Sequence, residues 1–428
     1  MNVCHASASL LLAPLLWSWP VAGCCAARAD GPAAATRLEL AGGSHDGVVP
    51  LAIAADRSRW RPAGSTDPAA VVDVPTPDVV RWGTVPPWPS GPLVLLRDGG
   101  VLAGRIESAD DQTVVVVSAA LGRLVLPADA VRGFRAGLGI GPGGLGTAAE
   151  PAERTHVLVL ANGDRARTRR IDWQGGTLAV DVPGGRAADT TTIPIPADVV
   201  RAVDFVAPTA PAPAAAGLRI LAAFMDGSRF EIQSLEPAPP LTAAPRSRLV
   251  LRLSAVTATC DTDEILSVAV DGGRATFLAA REPSACETSA QFGPPTRGRT
   301  FTGDWPAVRG TTAFTSLGVH APARIRYRLD APATLFESLV AVDDTVGTGG
   351  SVIVRVLAAA DGSSLQEVFS SRVLRGAEAP EMIRVALPSA TQLELAIDPA
   401  DGGAVLDRTL WLDPVVVRDS AADAAATR

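Results

Sequence analysis

Short runs of alternating apolar and polar residues, separated by turn residues, cover most of the chain. In the last quarter, the run Arg324–Leu329 alternates strictly, as a half-buried strand does. Similar runs follow at Ser351–Leu357, Ile383–Leu387 and Gln392–Ile397, with glycine, proline and aspartate between them. About seven or eight short strands of this kind are typical of two antiparallel sheets packed face to face. The pattern therefore predicts a β-sandwich at the carboxyl end.

A hairpin pattern recurs before this region. Its three clear copies carry their turns at Asp98–Gly99, Asn162–Gly163 and Asp226–Gly227. Such pairs favour type I′ hairpin turns, whose two central residues need positive φ. The segment Pro77–Trp82 repeats the closing strand of the other copies and predicts a degenerate first copy. Five short strands in about 50 residues resemble a small SH3-like or Sm-like barrel.

Segments rich in proline, glycine and alanine separate these units and are typical of extended spacers. The spacers are Pro86–Pro89, Gly137–Gly146 and Pro208–Ala216, and Pro237–Arg248 is an insertion within the last barrel. The predicted fold is all-β, with several small barrels before a β-sandwich. In chain order the units are a leader (1–29), a degenerate barrel (36–84), three barrels (91–136, 155–206 and 217–292), the sandwich (297–418) and a disordered tail (419–428).

The amino-terminal residues predict export. Leu10–Leu16 form an apolar core, and Ala27–Ala29 offer a small-x-small cleavage site before Asp30. In an alternative interpretation, Val21–Cys24 resembles a bacterial lipobox, in which Cys24 is lipidated. The apolar run is too short to span a bilayer. We therefore expect a periplasmic, cell-surface or extracellular protein, attached to a membrane only if Cys24 is lipidated.

Composition and motifs argue against several functions. All 38 basic residues are arginine and the net charge is −7, so no broad basic face for nucleic acid is expected. The chain has four scattered histidines and no HExxH, GxSxG, CxxC or Walker motif. A glycosidase needs two carboxylates flanking the scissile bond, whereas the acidic residues here lie almost entirely in turns. We expect a protein that is not an enzyme.

The cysteines agree with export. Cleavage after Ala29 leaves Cys260 and Cys286 as the remaining pair. A disulfide between them would stabilise the fold by about 3 kcal/mol on the chain-entropy model. The alternative is two unrelated buried thiols. We favour the disulfide.

The carboxyl-terminal pattern resembles the NPCBM family of carbohydrate-binding modules over roughly residues 301–418. The matching segments are Leu317–His320, Val342–Asp344, Ser351–Val356, Asp407 and Trp411–Pro414. Thr409 departs from the pattern, where another aromatic residue is expected. The resemblance implies a galactose-binding-like jelly roll and a glycan as partner.

Three residues of the sandwich are candidates for binding this glycan. Trp411 offers an apolar plane for stacking against a sugar face. Its alternative role is a core residue of the last strand. Leu410 and Leu412 lie on the opposite face of this strand, which leaves both roles open, and the resemblance to the family implies the core position. His320 could donate a hydrogen bond to a hydroxyl at the rim or could close a loop onto the backbone. Asp407 flanks Trp411 and completes the set.

Asp343 and Asp344 are the metal candidates. Adjacent carboxylates after a strand can ligate calcium, because hard cations need several oxygen ligands and loops present them. In the alternative interpretation, one carboxylate caps a turn and the other is solvated. A structural calcium ion is the one cofactor that the sequence suggests.

The sequence as a whole predicts an exported, non-catalytic protein that binds carbohydrate at the cell envelope. Binding would rest on apolar stacking and hydrogen bonds to hydroxyls. One alternative is a structural or protein-interaction module that engages envelope proteins. Another is an accessory domain of a glycoside hydrolase system. The sequence does not identify the glycan or the oligomeric state.

Overall fold

The computed structural model describes residues 37–89, 91–136, 155–183, 190–205, 217–239 and 248–418. The predicted leader, the lipidation residue Cys24, the spacers Gly137–Gly146 and Pro208–Ala216, most of the insertion and the tail lie outside these residues. The described ranges consist of β-strands and short 3-10 turns, without an α-helix, which confirms the all-β prediction. Within them, no helix is long and apolar enough to cross a membrane.

The upstream region contains four repeats of six strands, and a 3-10 turn precedes the last strand of each. Repeat 1 has β1 (Arg37–Leu40), β2 (Gly43–Asp46), β3 (Val48–Ile53), β4 (Arg57–Pro62), β5 (Val72–Pro75) and β6 (Val79–Gly83). Repeat 2 has β7 (Leu93–Leu96), β8 (Val101–Ala103), β9 (Arg105–Ala109), β10 (Thr113–Ser118), β11 (Gly122–Pro127) and β12 (Val131–Arg135). Repeat 3 has β13 (His156–Leu160), β14 (Arg165–Thr168), β15 (Ile171–Gln174), β16 (Thr177–Pro183), β17 (Thr190–Pro196) and β18 (Val200–Asp204). Repeat 4 has β19 (Arg219–Phe224), β20 (Arg229–Ile232), β21 (Ser234–Pro237), β22 (Arg248–Arg252), β23 (Thr257–Asp261) and β24 (Ile265–Asp271).

The hairpins of repeats 2 to 4 turn at the predicted positions but not in the predicted conformation. In repeat 2, Gly99 has φ of 92° while Asp98 keeps negative φ. Gly99 N–H donates to Leu96 O at 3.2 Å and Leu96 N–H to Gly100 O at 2.8 Å. This is a three-residue loop with glycine in the left-handed region, not type I′. The Asp98 carboxylate accepts the Gly100 N–H at 2.8 Å and so stabilises the turn through its side chain.

The four repeats share their sheets. One twelve-stranded sheet has the order β14-β13-β18-β12-β7-β8-β20-β19-β24-β6-β1-β2. Repeats 2 and 3 build a six-stranded sheet, β11-β10-β9-β15-β16-β17, and repeats 1 and 4 build another, β23-β22-β21-β3-β4-β5. A single apolar cluster with members from all four repeats, such as Trp60, Phe134, Trp173 and Phe224, lies inside. The resemblance to separate small barrels is therefore not confirmed.

The carboxyl-terminal strands form one ten-stranded antiparallel sheet. They are β25 (Ala275–Phe277), β26 (Ala285–Thr288), β27 (Thr296–Arg297), β28 (Ser316–His320), β29 (Ala323–Val342), β30 (Ser351–Ala359), β31 (Gln366–Ser370), β32 (Leu374–Arg375), β33 (Glu381–Pro399) and β34 (Arg408–Val417). The main order is β27-β28-β34-β29-β33-β30-β31. The pairing of β29 with β33 shifts register near Ala333, and the sheet encloses an apolar core that includes Phe336 and Trp411. The predicted β-sandwich is confirmed.

The sandwich packs on the outer face of the twelve-stranded sheet. Val80, Leu221 and Ala269 of that sheet join Phe277 and Val415 of the sandwich in one apolar cluster. The segment Pro86–Pro89, predicted as an extended spacer, is held in this contact. Thr312 Oγ1 donates to Pro86 O at 2.6 Å, and the rings of Trp88 and Trp305 lie 4.2 Å apart. The upstream repeats and the sandwich therefore pack together in one compact unit.

Candidate functional site

Trp411 lies in the sandwich core. It is 0% exposed, directly opposite Leu317 on β28 and Val340 on β29. Its ring meets Phe336 edge-on, with centroids 6.1 Å apart. The indole N–H has no hydrogen-bond partner among the described residues. Because neither face of the ring reaches solvent, Trp411 does not offer a stacking platform in this conformation, and its role here is to fill the core.

The other predicted site residues meet at one end of the sandwich. His320 ends β28 directly opposite Arg408, the first residue of β34. Ala321 N–H donates to Asp407 O at 2.9 Å, and Asp343 N–H donates to Arg408 O at 2.9 Å. Backbone pairing therefore brings His320, Asp407 and Asp343 to one edge, which we call the rim.

An aromatic cluster covers His320. The Phe292 ring stacks on the imidazole with centroids 3.5 Å apart and planes 14° apart, and Phe301 approaches edge-on at 5.3 Å. His320 Nδ1 lies 2.7 Å from Ala321 O, which assigns the proton to Nδ1. His320 is buried, whereas Phe292 and Phe301 are partly exposed. The contact with Ala321 O matches the alternative in which His320 closes onto the backbone, and a hydrogen bond from His320 to a hydroxyl stays a prediction.

Phe292 and Phe301 were not identified from the sequence. They lie before the first long strand of the sandwich, in an irregular segment without alternating apolar positions. The available signal was their type, because aromatic residues make up only 4% of the chain. Two phenylalanines within a proline- and glycine-rich segment therefore indicate aromatic side chains at the surface.

Asp407 is a buried carboxylate beneath this cluster. It is 0% exposed, and Oδ1 accepts the Ser351 N–H at 2.7 Å. Oδ2 has no hydrogen-bond partner among the described residues. Burial raises the pKa of Asp407, while the Ser351 N–H and nearby His320 act in the opposite direction. Asp407 therefore keeps one oxygen without a partner among the described residues, but this oxygen does not reach solvent in this conformation.

The two metal candidates stabilise turns. Asp343 Oδ1 accepts the Thr345 N–H at 3.0 Å and caps the 3-10 turn Asp344–Val346. Asp344 Oδ2 accepts the Arg309 N–H at 2.7 Å. The described ranges contain no group of three or more His, Cys, Asp or Glu side chains that could hold a metal. Asp343 Oδ2 is buried without a hydrogen-bond partner there, which would suit a cation, so calcium at Asp343 and Asp344 stays a prediction.

The predicted disulfide between Cys260 and Cys286 is not formed. Both thiols are free, with Cys260 buried and Cys286 exposed. Cys260 lies on β23 in the sheet shared by repeats 1 and 4, whereas Cys286 lies on β26 of the sandwich. The prediction rested on elimination of the leader cysteines, and the strands that carry the two residues belong to different sheets.

Comparison with known proteins gives matches to the carboxyl-terminal region. The model of the NPCBM/NEW2 domain matches residues 278–417. A Renibacterium salmoninarum protein named as an endo-alpha-N-acetylgalactosaminidase is 33% identical over 105 residues, which are 24% of this chain and 7% of that protein. The chain thus spans a small fraction of this relative.

Two solved structures from Clostridium perfringens are similar at low identity. One is the CBM51 of GH95 in complex with methyl-galactose, at 20% identity, TM-score 0.30, and coverage of 33% of this chain and 99% of that one. The other contains the CBM51-2 and INT domains of ZmpB, at 16% identity, TM-score 0.30, and coverage of 43% and 40%. The match to the family model identifies residues 278–417 as an NPCBM/NEW2 domain.

Proposed function

We propose that this protein binds carbohydrate at the rim of its NPCBM/NEW2 domain, with Phe292, His320 and Asp407 at the centre of the site. The observation that carries the proposal is the stack of the partly exposed Phe292 ring on the buried His320, which holds an aromatic ring at the surface of the rim, with Asp407 buried nearby. Sugar sites combine an apolar surface for the ring C–H groups with a few placed polar groups. The rim offers both.

Neighbouring residues extend this surface. Val405 and Leu406, just before Asp407, are 74% and 40% exposed, an unusual exposure for large aliphatic side chains. Arg408 is partly exposed, and its guanidinium lies 3.5 Å from Thr345 Oγ1. Apolar side chains beside a planar donor suit a hydroxylated ring. Binding by stacking and hydrogen bonds alone would be weak for each site.

The proposal extends to location and chemistry. The leader pattern supports export to the envelope, with attachment at Cys24 if that residue is lipidated. The scarcity of histidine supports binding without catalysis, although several acidic residues that were expected in turns, such as Glu337 and Glu394, are buried on strands. The Renibacterium relative supports an association with glycoside hydrolases, although the shared region is 7% of that protein.

A glycan array tests the proposal on the full chain. We expect retention on at least one glycan, and a loss of at least about tenfold in affinity for Phe292→Ala, which corresponds to about 1.4 kcal/mol. The control is Met225→Ala, which removes a side chain that is 48% exposed in repeat 4. Failure to retain any glycan would refute the proposal and would favour a protein-interaction module.

A further inference from the structure

A cavity lies where repeats 2 and 3 join in their shared six-stranded sheet. The pairing of β9 with β15 is short and ends with Ser108 opposite Gln174. The chain then turns back at Gly175 and Gly176, which both have positive φ, so the first residues of β9 have no partner on β15. A cavity of about 770 Å³ opens at this gap. Its volume lies within the range of small-molecule sites, about 300–1,000 Å³.

The base of the cavity is apolar. Ile106 of β9, Phe134 of β12 and Trp173 of β15 line it, and all three side chains are buried. The rings of Phe134 and Trp173 meet edge-on, with centroids 5.2 Å apart. These residues also belong to the apolar cluster inside the four repeats. The base of the cavity is therefore held in place by the core of the repeats.

Polar side chains surround this base. Arg105 and Glu107 belong to β9, Gln174 ends β15, and Asp198 lies in the 3-10 turn before β18. All four are exposed. Glu107 pairs with Arg123 at 3.0 Å, whereas the side chains of Arg105, Gln174 and Asp198 make no hydrogen bond or ion pair with the described residues. A ligand can therefore bond these three side chains without breaking an existing contact.

A buried guanidinium supplies a separate observation. Arg135 lines the cavity and is 1% exposed. Its Nη2 lies 2.9 Å from Asp204 Oδ1, and its Nη1 donates to Phe134 O at 2.9 Å. Its Nε is buried and has no hydrogen-bond partner among the described residues. A buried donor without a partner is unfavourable unless a bound molecule satisfies it, so this group indicates a polar ligand beside Arg135.

The charges around the cavity favour a neutral ligand. Asp198 disfavours an anion and Arg105 disfavours a cation, because like charges repel. A hydroxyl both donates and accepts hydrogen bonds, so a ligand with several hydroxyls can bond the guanidinium of Arg105 and the carboxylate of Asp198 together. The amide of Gln174 can also donate and accept. An apolar base below such groups suits the C–H groups of a sugar ring.

We propose that the cavity between repeats 2 and 3 binds a short neutral sugar, with Arg105, Gln174 and Asp198 as its hydrogen-bonding residues. This site lies outside the NPCBM/NEW2 domain, which covers residues 278–417, and it does not depend on the rim. The repeats thus contribute a binding site of their own. Two linked weak sites bind a polymer that reaches both more tightly than either site does alone.

Saturation-transfer NMR titration with free cellobiose, maltose and lactose tests this inference. The full chain carries Phe292→Ala, so that the rim does not contribute. We expect saturable binding of at least one disaccharide. Adding Asp198→Ala should weaken this binding at least about tenfold, because a hydrogen bond to a charged acceptor is lost. Asp129→Ala is the matched control and should leave the affinity unchanged, since Asp129 is the exposed aspartate at the same position of the 3-10 turn in repeat 2.

The possible results separate this site from the rim. If none of the three disaccharides binds, or if Asp198→Ala and Asp129→Ala bind equally, the inference is overturned. If the wild type binds and Phe292→Ala does not, the sugar binds at the rim, so the inference fails while the proposed function stands. Glucose should also bind more tightly than glucuronate and glucosamine, and a preference for either charged sugar would overturn the assignment of a neutral ligand.

Discussion

Arg229 connects the repeat sheet to the NPCBM/NEW2 domain, and its removal should destabilise the protein strongly. The side chain is 4% exposed. Its guanidinium donates to Pro86 O at 2.7 Å, Pro87 O at 3.2 Å and Ala313 O at 3.2 Å. It also lies 3.8 Å from the centre of the Trp88 ring. Burial lowers the pKa of Arg229 to about 10, so the group remains charged at neutral pH.

The magnitude follows from these contacts. Hydrogen bonds from a charged donor contribute about 1.5–3 kcal/mol each, and a buried cation over tryptophan contributes up to about 2 kcal/mol. Two effects offset part of this sum. The guanidinium regains its hydration when the protein unfolds, and the segment Pro86–Pro89 can rearrange in the variant. We expect Arg229→Ala to lower the free energy of unfolding by about 3 kcal/mol.

Urea denaturation monitored by tryptophan fluorescence measures this loss. Arg201→Ala is the matched control, since Arg201 is an exposed arginine of repeat 3, and it should change stability by less than about 0.5 kcal/mol. Because Trp88 and Trp305 stack at the contact, Arg229→Ala should also shift the native emission. If Arg229→Ala lowers the free energy of unfolding no more than the control does, Arg229 does not stabilise the contact between the repeats and the sandwich.

Three further outcomes follow from the structure. Because burial raises the pKa of Asp407, the folded state binds this proton more tightly than the unfolded chain, so the contribution of Asp407 to stability increases as pH falls through the window between the two pKa values. Asp407→Asn should lose this increase, so the difference in the free energy of unfolding between the wild type and the variant, from urea denaturation, should change between neutral pH and about pH 4; the same difference at both pH values would contradict the prediction. Burial raises the pKa of Cys260 to about 12, so mass spectrometry after native alkylation should find Cys286 modified and Cys260 protected, whereas a disulfide would protect both. A Cβ at Gly318 would lie 2.4 Å from Phe301 N, so Gly318→Ala should displace Phe301, cost about 1–3 kcal/mol in a thermal melt and weaken glycan retention; wild-type values of both would contradict the packing at the rim.

The sequence predicted those features that depend on local pattern. Alternation located the strands of the sandwich, and Asp-Gly or Asn-Gly located three hairpins. The Gly100 N–H donates to the Asp98 carboxylate, and this contact stabilises a three-residue loop. The Asp-Gly pair alone predicted a type I′ turn. The core position of Trp411 was the favoured alternative and agrees with its burial.

Features that depend on distant pairing were beyond the sequence. Each repeat was expected to form a closed barrel. Alternation locates the strands but does not determine which strands pair with each other. The last strands of the repeats, such as β6 and β24, pair with each other between repeats and so join the repeats into one sheet. Phe292 and His320 lie in different segments, and a fold was needed to stack them.

Isothermal titration calorimetry with a retained glycan tests the central claim, that the rim of the NPCBM/NEW2 domain binds carbohydrate. The account predicts saturable binding to the full chain, a loss of at least about tenfold in affinity for Phe292→Ala, and wild-type affinity for Met225→Ala. Equal affinity of the wild type and Phe292→Ala, with both proteins folded, would contradict it.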